Sequence, residues 1–220
     1  MKKVSCSLLA ALLLASVATP GLAQVGLSVG PRFGIGFANV GGDLEDTNSN
    51  FGLSFGGSFG LQLHDYFRLA IDGQWVQKGF SEEEVVDIDG FVEVDASFNV
   101  SYIEFMVPAT LTIPIPESPI TPRLYVGPAL AIEVSCGVSG NVAGVEVNLD
   151  CDEAGAETKS TDFLIFFGGG VDVAVGIGAI TVDLLYDLGL TDLNDVTGDP
   201  TSIKSRNFQV LAGYRFFFGG

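Results

Sequence analysis

Apolar residues alternate with small or polar ones along most of the chain, most clearly in residues 207–220. One parity of this segment carries Phe208, Val210, Ala212, Tyr214, Phe216 and Phe218. The other parity carries Gln209, Gly213 and Arg215, with Leu211 and Phe217 as exceptions. Successive side chains of a strand point to opposite faces, so the segment predicts a strand with one apolar face. Such a strand is typical of a bacterial outer-membrane β-barrel.

The same alternation predicts seven further strands, at about residues 25–37, 51–63, 67–78, 102–113, 123–134, 162–175 and 180–190. Each is long enough to cross a bilayer as a tilted strand of about 9–11 residues. The window 163–182 is also apolar enough for a transmembrane helix. Its five glycines and many β-branched residues favour two strands joined at Gly176–Ala179 instead.

Short and long connections alternate between these strands. The short ones are His64–Tyr66, a Pro-rich turn after Ile113, and the Gly-rich turn after Val175; the long ones are residues 39–50, 81–96, 136–160 and 191–204. Short periplasmic turns and long external loops are the outer-membrane pattern. We therefore predict an all-β fold, an eight-stranded antiparallel up-and-down transmembrane β-barrel. The loop at 81–96 is predicted to continue as a hairpin, because Asp89-Gly90 suits a type I′ turn.

The N-terminus predicts export. Lys2 and Lys3 precede an apolar run from Leu8 to Val17, and small residues around Ala23 offer a cleavage site. We expect residues 1–23 to be a cleaved signal peptide and residues 24–220 to form the barrel. No Cys follows the cleavage site, so no lipid attachment is expected.

The non-apolar parity predicts the content of the lumen. It is rich in Gly and Ser and contains charges of both signs: Arg32, Arg68, Asp72, Glu104, Arg123, Glu133, Asp172, Asp183 and Arg215. The interior of an eight-stranded barrel is just wide enough for side chains to fill. We therefore expect a narrow polar lumen that is filled by side chains and cross-linked by ion pairs, not an open channel. The alternative is a soluble, lipocalin-like barrel, with the apolar side chains inside and a carried ligand.

Short motifs in the middle of the chain resemble the PorT-type outer-membrane β-barrel family. They are Gln77-Lys78-Gly79, Tyr102–Phe105 with Pro108, Tyr125–Leu130, Asp162-Phe163 with Gly168–Gly170, and Tyr186 with Gly189–Asp192. Pro108 lies two positions later than in the family pattern, and Leu185 replaces an Arg that often precedes the Tyr. The resemblance implies an outer-membrane barrel and carries over no catalytic residues.

Two cysteines lie in the longest predicted external loop. Cys136 and Cys151 are expected to pair, because exported cysteines usually form disulfides; free thiols or an intermolecular link are the alternatives. Closing about 15 residues contributes about 3 kcal/mol in the chain-entropy model. His64, the single histidine, lies in a predicted periplasmic turn, away from any serine nucleophile that could act on the outer surface. We read it as a polar turn residue.

Acidic residues concentrate in the predicted external loops. The formal net charge is −17, which argues against nucleic-acid binding. Eighteen of the 27 acidic residues lie in the four long loops, so those loops are a negatively charged surface. Asp87 and Asp89 are weak candidates for a divalent-cation site that could bridge to lipopolysaccharide. They lack the distal Glu of an EF-hand in register.

These observations predict a small, monomeric, non-enzymatic outer-membrane barrel with a structural or interaction role through its loops. The expected surroundings are outer-membrane lipid and lipopolysaccharide, with the barrel-assembly machinery as the partner during insertion. No cofactor and no metal site is predicted from a motif. Two alternatives are a narrow passive channel for a small solute and a lipid-modifying enzyme. The enzyme would need a catalytic set on the outer face that the sequence does not show.

Overall fold

Each predicted membrane-crossing strand of this chain has an apolar face, and a closed barrel is the arrangement that turns all of these faces outward. The computed structural model describes residues 26–42, 48–86, 92–142, 145–151, 153, 159–194 and 202–219. The predicted signal peptide lies outside these residues. Among them, no helix is long and apolar enough to cross a bilayer.

The described residues form ten β-strands. They are β1 Gly26–Gly42, β2 Asn48–His64, β3 Phe67–Val86, β4 Val92–Met106, β5 Ala109–Thr112, β6 Ile120–Val142, β7 Val145–Asp150, β8 Thr161–Val175, β9 Gly178–Gly189 and β10 Ile203–Phe218.

Eight antiparallel barrel strands close into a ring. β4 and β5 are two parts of one barrel strand, because both pair with β3 and β6. Hydrogen bonding continues across their junction, where Ala70 donates to Pro108 O at 3.1 Å and Val107 donates to Pro128 O at 3.1 Å. β10 pairs with β1 in a register that sets Phe33 opposite Ala212, which closes the sheet. The prediction of an eight-stranded up-and-down barrel is confirmed.

The apolar parity faces outward. Phe33, Phe55 and Leu124 are 62%, 59% and 56% exposed, whereas the neighbouring Ser54 and Arg123 are buried. A soluble barrel would bury its apolar parity inside, so the lipocalin-like interpretation is wrong. The predicted helix window 163–182 falls instead on β8, its turn and β9.

Strands continue well into the predicted long loops. β1 ends at Gly42, and β3 pairs with β4 as far as Val86 opposite Val92. The predicted hairpin stem is therefore present, while Asp89-Gly90 lies outside the described residues. The loops are shorter in the structure than the sequence predicted. Antiparallel pairing continues into them, because backbone groups need hydrogen-bond partners beyond the membrane as well as within it. The short turns gather at the opposite end of the barrel, where β1 begins and β10 ends.

The outward face of β2 offers a test of membrane depth. Phe59 lies about five residues from the short turn after β2, close to the middle of a belt about 25 Å tall, and Phe51 lies near the external rim. Phe59→Arg should lower the free energy of unfolding by about 2–4 kcal/mol and Phe51→Arg by about 0–1 kcal/mol. Urea unfolding in lipid vesicles, followed by Trp75 fluorescence, measures both. Equal costs at the two positions would contradict the membrane orientation.

Candidate functional site: the barrel interior and its mouths

The interior near the short-turn end contains a layer of ion pairs that joins six different strands. Three inward aspartates face three inward arginines. The N···O distances are 2.6 Å for Arg32–Asp72, 2.8 Å for Arg123–Asp172, 3.0 Å for Arg123–Asp183 and 2.5 Å for Arg215–Asp172. Asp172 thus binds two arginines at once. The layer ties the walls of the barrel together across its interior.

Glycines on β1 and β2 make room for inward side chains of the adjacent strands. A side chain at Gly34 would collide with Leu211, and one at Gly56 would collide with Gln74. A glycine opposite a large residue on the adjacent strand therefore leaves space for the large side chain inside the barrel.

A second polar layer lies toward the external end. Lys78 Nζ lies 2.6 Å from Glu104, and Gln74 Nε2 donates to the same carboxylate at 2.7 Å. Other bonds of this layer include Gln209 Nε2 to Asp187 at 2.7 Å and Ser205 Oγ to Asp162 at 2.5 Å. Arg32 joins the two layers by donating to Gln74 Oε1 at 2.7 Å.

Sequence reasoning missed several members of this second layer. Lys78, Asp162 and Asp187 were not assigned to the lumen, although each has the inward parity of its strand. Parity alone could have identified them. Three of the assigned residues take no part in the ion pairs of the first layer, and one of them, Glu104, belongs to the second layer. Glu133 is half-buried near the external rim, opposite Tyr102, and Arg68 makes no ion pair among the described residues.

The interior also contains an apolar cluster beside the polar layers, which the sequence analysis did not predict. Its buried members include Val76, Tyr102, Met106, Tyr125, Leu164, Phe166, Leu185 and Leu211. β8 and β9 have apolar residues on both parities, and the inward ones pack against each other. The cluster removes further space from the interior.

Little open volume remains inside the barrel. A cavity of about 20 Å³ lies beside the ion-paired layer, lined by Arg32, Asp183 and Arg215 among others. That volume holds about one water molecule. A second cavity of about 560 Å³ lies at the short-turn end, between Tyr66, Pro114 and Gly219. We call this second cavity the periplasmic vestibule.

A disulfide stabilises the external hairpin of β6 and β7. Cys136 and Cys151 are bonded, with their Cα atoms 5.5 Å apart. The adjacent pair Gly137–Asp150 is the last one of the β6–β7 ladder. The bond therefore ties the end of β7 back to the barrel strand.

Asp192 organises another part of the external end. Its Oδ1 accepts hydrogen bonds from the N–H groups of Ile203 and Asn194, at 2.9 and 3.2 Å. The Ile203 N–H, followed by that of Asn194, holds the pKa of Asp192 below its usual value of 3.8. Lys159 Nζ donates to Asp192 O at 2.9 Å. The Gly189–Asp192 motif thus has a structural role.

Catalytic and metal chemistry find little support in the described residues. His64 is exposed in its turn, where Nδ1 accepts from Tyr66 N–H at 3.4 Å. Within the described ranges, no group of three His, Cys, Asp or Glu side chains could hold a metal ion. Asp87 and Asp89, the weak cation candidates, lie outside the described residues.

The shared carboxylate of Asp172 provides a test of the ion-paired layer. Asp172→Asn leaves Arg215 without its counter-charge and Arg123 with only Asp183. Breaking a buried pair by removing one partner costs about 3–5 kcal/mol, so urea unfolding in micelles should show a loss of that order. Asp65→Asn, in an exposed turn, is the matched control and should change stability by less than about 0.5 kcal/mol. Equal stabilities of the two variants would show that the ion-paired layer contributes nothing to the free energy of unfolding.

Several solved outer-membrane structures resemble this fold. Neisserial surface protein A is 17% identical, covers 86% of this chain and 96% of its own, and has a TM-score of 0.47. Ail of Yersinia pestis is 13% identical, covers 88% and 100%, and has a TM-score of 0.39. The N-terminal β-barrel of Pseudomonas aeruginosa OprF is 12% identical, covers 89% and 100%, and has a TM-score of 0.43. At these sequence identities and TM-scores, the structural similarity carries no inference about activity.

The sequence itself matches a family. No curated protein matches the chain, but the family model described as outer membrane protein beta-barrel domain matches residues 7–216. That match covers almost the entire chain and agrees with the closed ring and the outward apolar face. The chain therefore belongs to the outer membrane protein β-barrel domain family and is located in the bacterial outer membrane.

Proposed function

We propose that this protein is a monomeric, non-enzymatic barrel that acts structurally, or through interactions of its external loops, rather than by conducting solutes. The observation that carries the proposal is the filled interior. Two hydrogen-bonded and ion-paired layers with an apolar cluster leave a cavity of about 20 Å³ beside the ion-paired layer. A hydrated solute needs a continuous path wider than one water molecule.

The external end supports an interaction role. The described part of the β6–β7 hairpin presents exposed Asn148, Leu149 and Asp150 beyond the membrane. The Cys136–Cys151 bond restrains it, which lowers the ordering cost of binding a partner. The acidic loop composition favours a partner that is basic, or that is bridged by cations.

A non-enzymatic role is supported by the position of His64. It lies at the periplasmic end, on the opposite side of the membrane from the loops. A hydrolase of the outer face needs a general base within hydrogen-bond reach of its nucleophile.

Three finer assignments are part of the same proposal. The Gln77–Gly79 and Gly189–Asp192 motifs support placement in the PorT-type branch of barrel proteins. Residues 1–23 have the composition of a cleaved signal peptide. The aromatic β10 supports insertion by the barrel-assembly machinery, because its alternation is that of a lipid-facing strand.

Planar-bilayer recording tests the filled interior. The purified protein should show no discrete conductance steps, because side chains from opposite walls meet across the interior. A porin inserted into the same membrane should give steps and is the control. Discrete, reproducible steps from the native protein would contradict the proposal and favour the narrow-channel alternative.

Calorimetry tests the cation-bridging form of the loop proposal. Titration of the micellar protein with Ca²⁺ should give saturable heat at millimolar concentrations, since exposed carboxylate clusters bind hard cations weakly. Asp87→Asn with Asp89→Asn should reduce that heat, and Asp65→Asn, at the periplasmic end, should not. Absence of heat from the native protein would remove cation bridging.

A further inference from the structure

Arg68 is a buried charge that forms no ion pair with any of the described residues. The residue is 5% exposed, and its Nε and Nη1 atoms are buried and donate no hydrogen bond. No carboxylate of the described residues forms an ion pair with it. Charges inside proteins are normally paired, because burying an unpaired charge is costly. The guanidinium of Arg68 is therefore available to an anion from outside the chain.

Neighbouring carboxylates are already engaged. Asp72 binds Arg32, Asp183 binds Arg123, and Asp172 binds both Arg123 and Arg215. Among the described residues, four guanidinium groups thus share three carboxylates in this layer, which leaves it one positive charge in excess. The excess resides on Arg68.

The periplasmic vestibule gives an anion access to this charge. Arg68, Arg123 and Arg215 all line it. Its volume of about 560 Å³ lies within the range of small-molecule sites, about 300–1,000 Å³. Two acidic residues also line it. Asp172 is ion-paired with Arg123 and Arg215, and Asp65, in the turn at the rim, is exposed, so solvent and salt screen its charge.

We propose that the vestibule binds a phosphate-type oxyanion through Arg68, with Arg123 and Arg215 adding positive potential beside it. Guanidinium groups bind phosphate oxygens through charge-assisted, often bidentate hydrogen bonds. The anion has two sources, free phosphate and the headgroup of a phospholipid at the periplasmic membrane surface. Apolar lining by Leu27, Ala174 and Phe217 accommodates the lipid form, in which the phosphate is attached to an apolar body.

Arginine side-chain NMR tests the proposal directly. The protein, ¹⁵N-labelled at arginine and folded in zwitterionic micelles, is titrated with inorganic phosphate against chloride at constant ionic strength. One Nε–H resonance should shift saturably, and that resonance should be absent in Arg68→Gln. Arg206→Gln, which removes an exposed arginine at the external end, should keep the shift. Arg68→Gln is expected to fold, because it removes an unpaired buried charge, and its folding is checked by gel migration.

Two further titrations distinguish the sources and the class of anion. If the headgroup is the ligand, a short-chain phosphatidylglycerol should shift the same resonance at lower concentration than inorganic phosphate. Acetate should shift it less than either. No Arg68-dependent shift with phosphate or the lipid would overturn the proposal. An equal response to acetate, or an equal loss in Arg206→Gln, would also overturn it, because the effect would then be unspecific.

Discussion

Pairing of the first and last strands is the constraint on which the rest of this structure depends. The β1–β10 ladder runs from Leu27 opposite Phe218 to Gly42 opposite Ile203, so the sheet has no free edge within the membrane. Hydrocarbon offers no hydrogen bonds, and an open edge there would leave backbone groups unsatisfied. Once the ring is closed, one parity of every strand faces lipid and the other faces a narrow interior.

That narrow interior explains the unusual composition of the inward parity. Small residues on β1 and β2 provide space, and long side chains from β3, β6 and β10 fill it. Asp172, held between Arg123 and Arg215, shows how one carboxylate connects three strands. Within the part of the chain that the structure describes, the same geometry leaves Arg68 without an ion pair in the lining of the periplasmic vestibule. The sequence of the external end, which includes the disulfide-restrained hairpin, can vary without disturbing the packing of the interior.

Much of this fold is predictable because alternation is local. A period of two assigns Phe33 to lipid and Arg32 to the interior without knowledge of any partner. Pairing is not local: Arg32 and Asp72 are 40 residues apart, and the stagger of the closed ring decides which inward charges meet. Leu164 and Phe166 were missed as interior residues because β8 is apolar on both parities. The β-ladders that extend beyond the membrane were predicted as loops, because their polar residues form no apolar face.

Electrophoretic migration of the protein from an outer-membrane fraction, with and without boiling in SDS, tests the closed barrel most directly. A closed ring with a cross-linked interior resists the detergent until it is heated. We therefore predict different migration of the boiled and unboiled samples. Identical migration, with the protein recovered in the soluble periplasmic fraction, would contradict the closed, lipid-facing barrel.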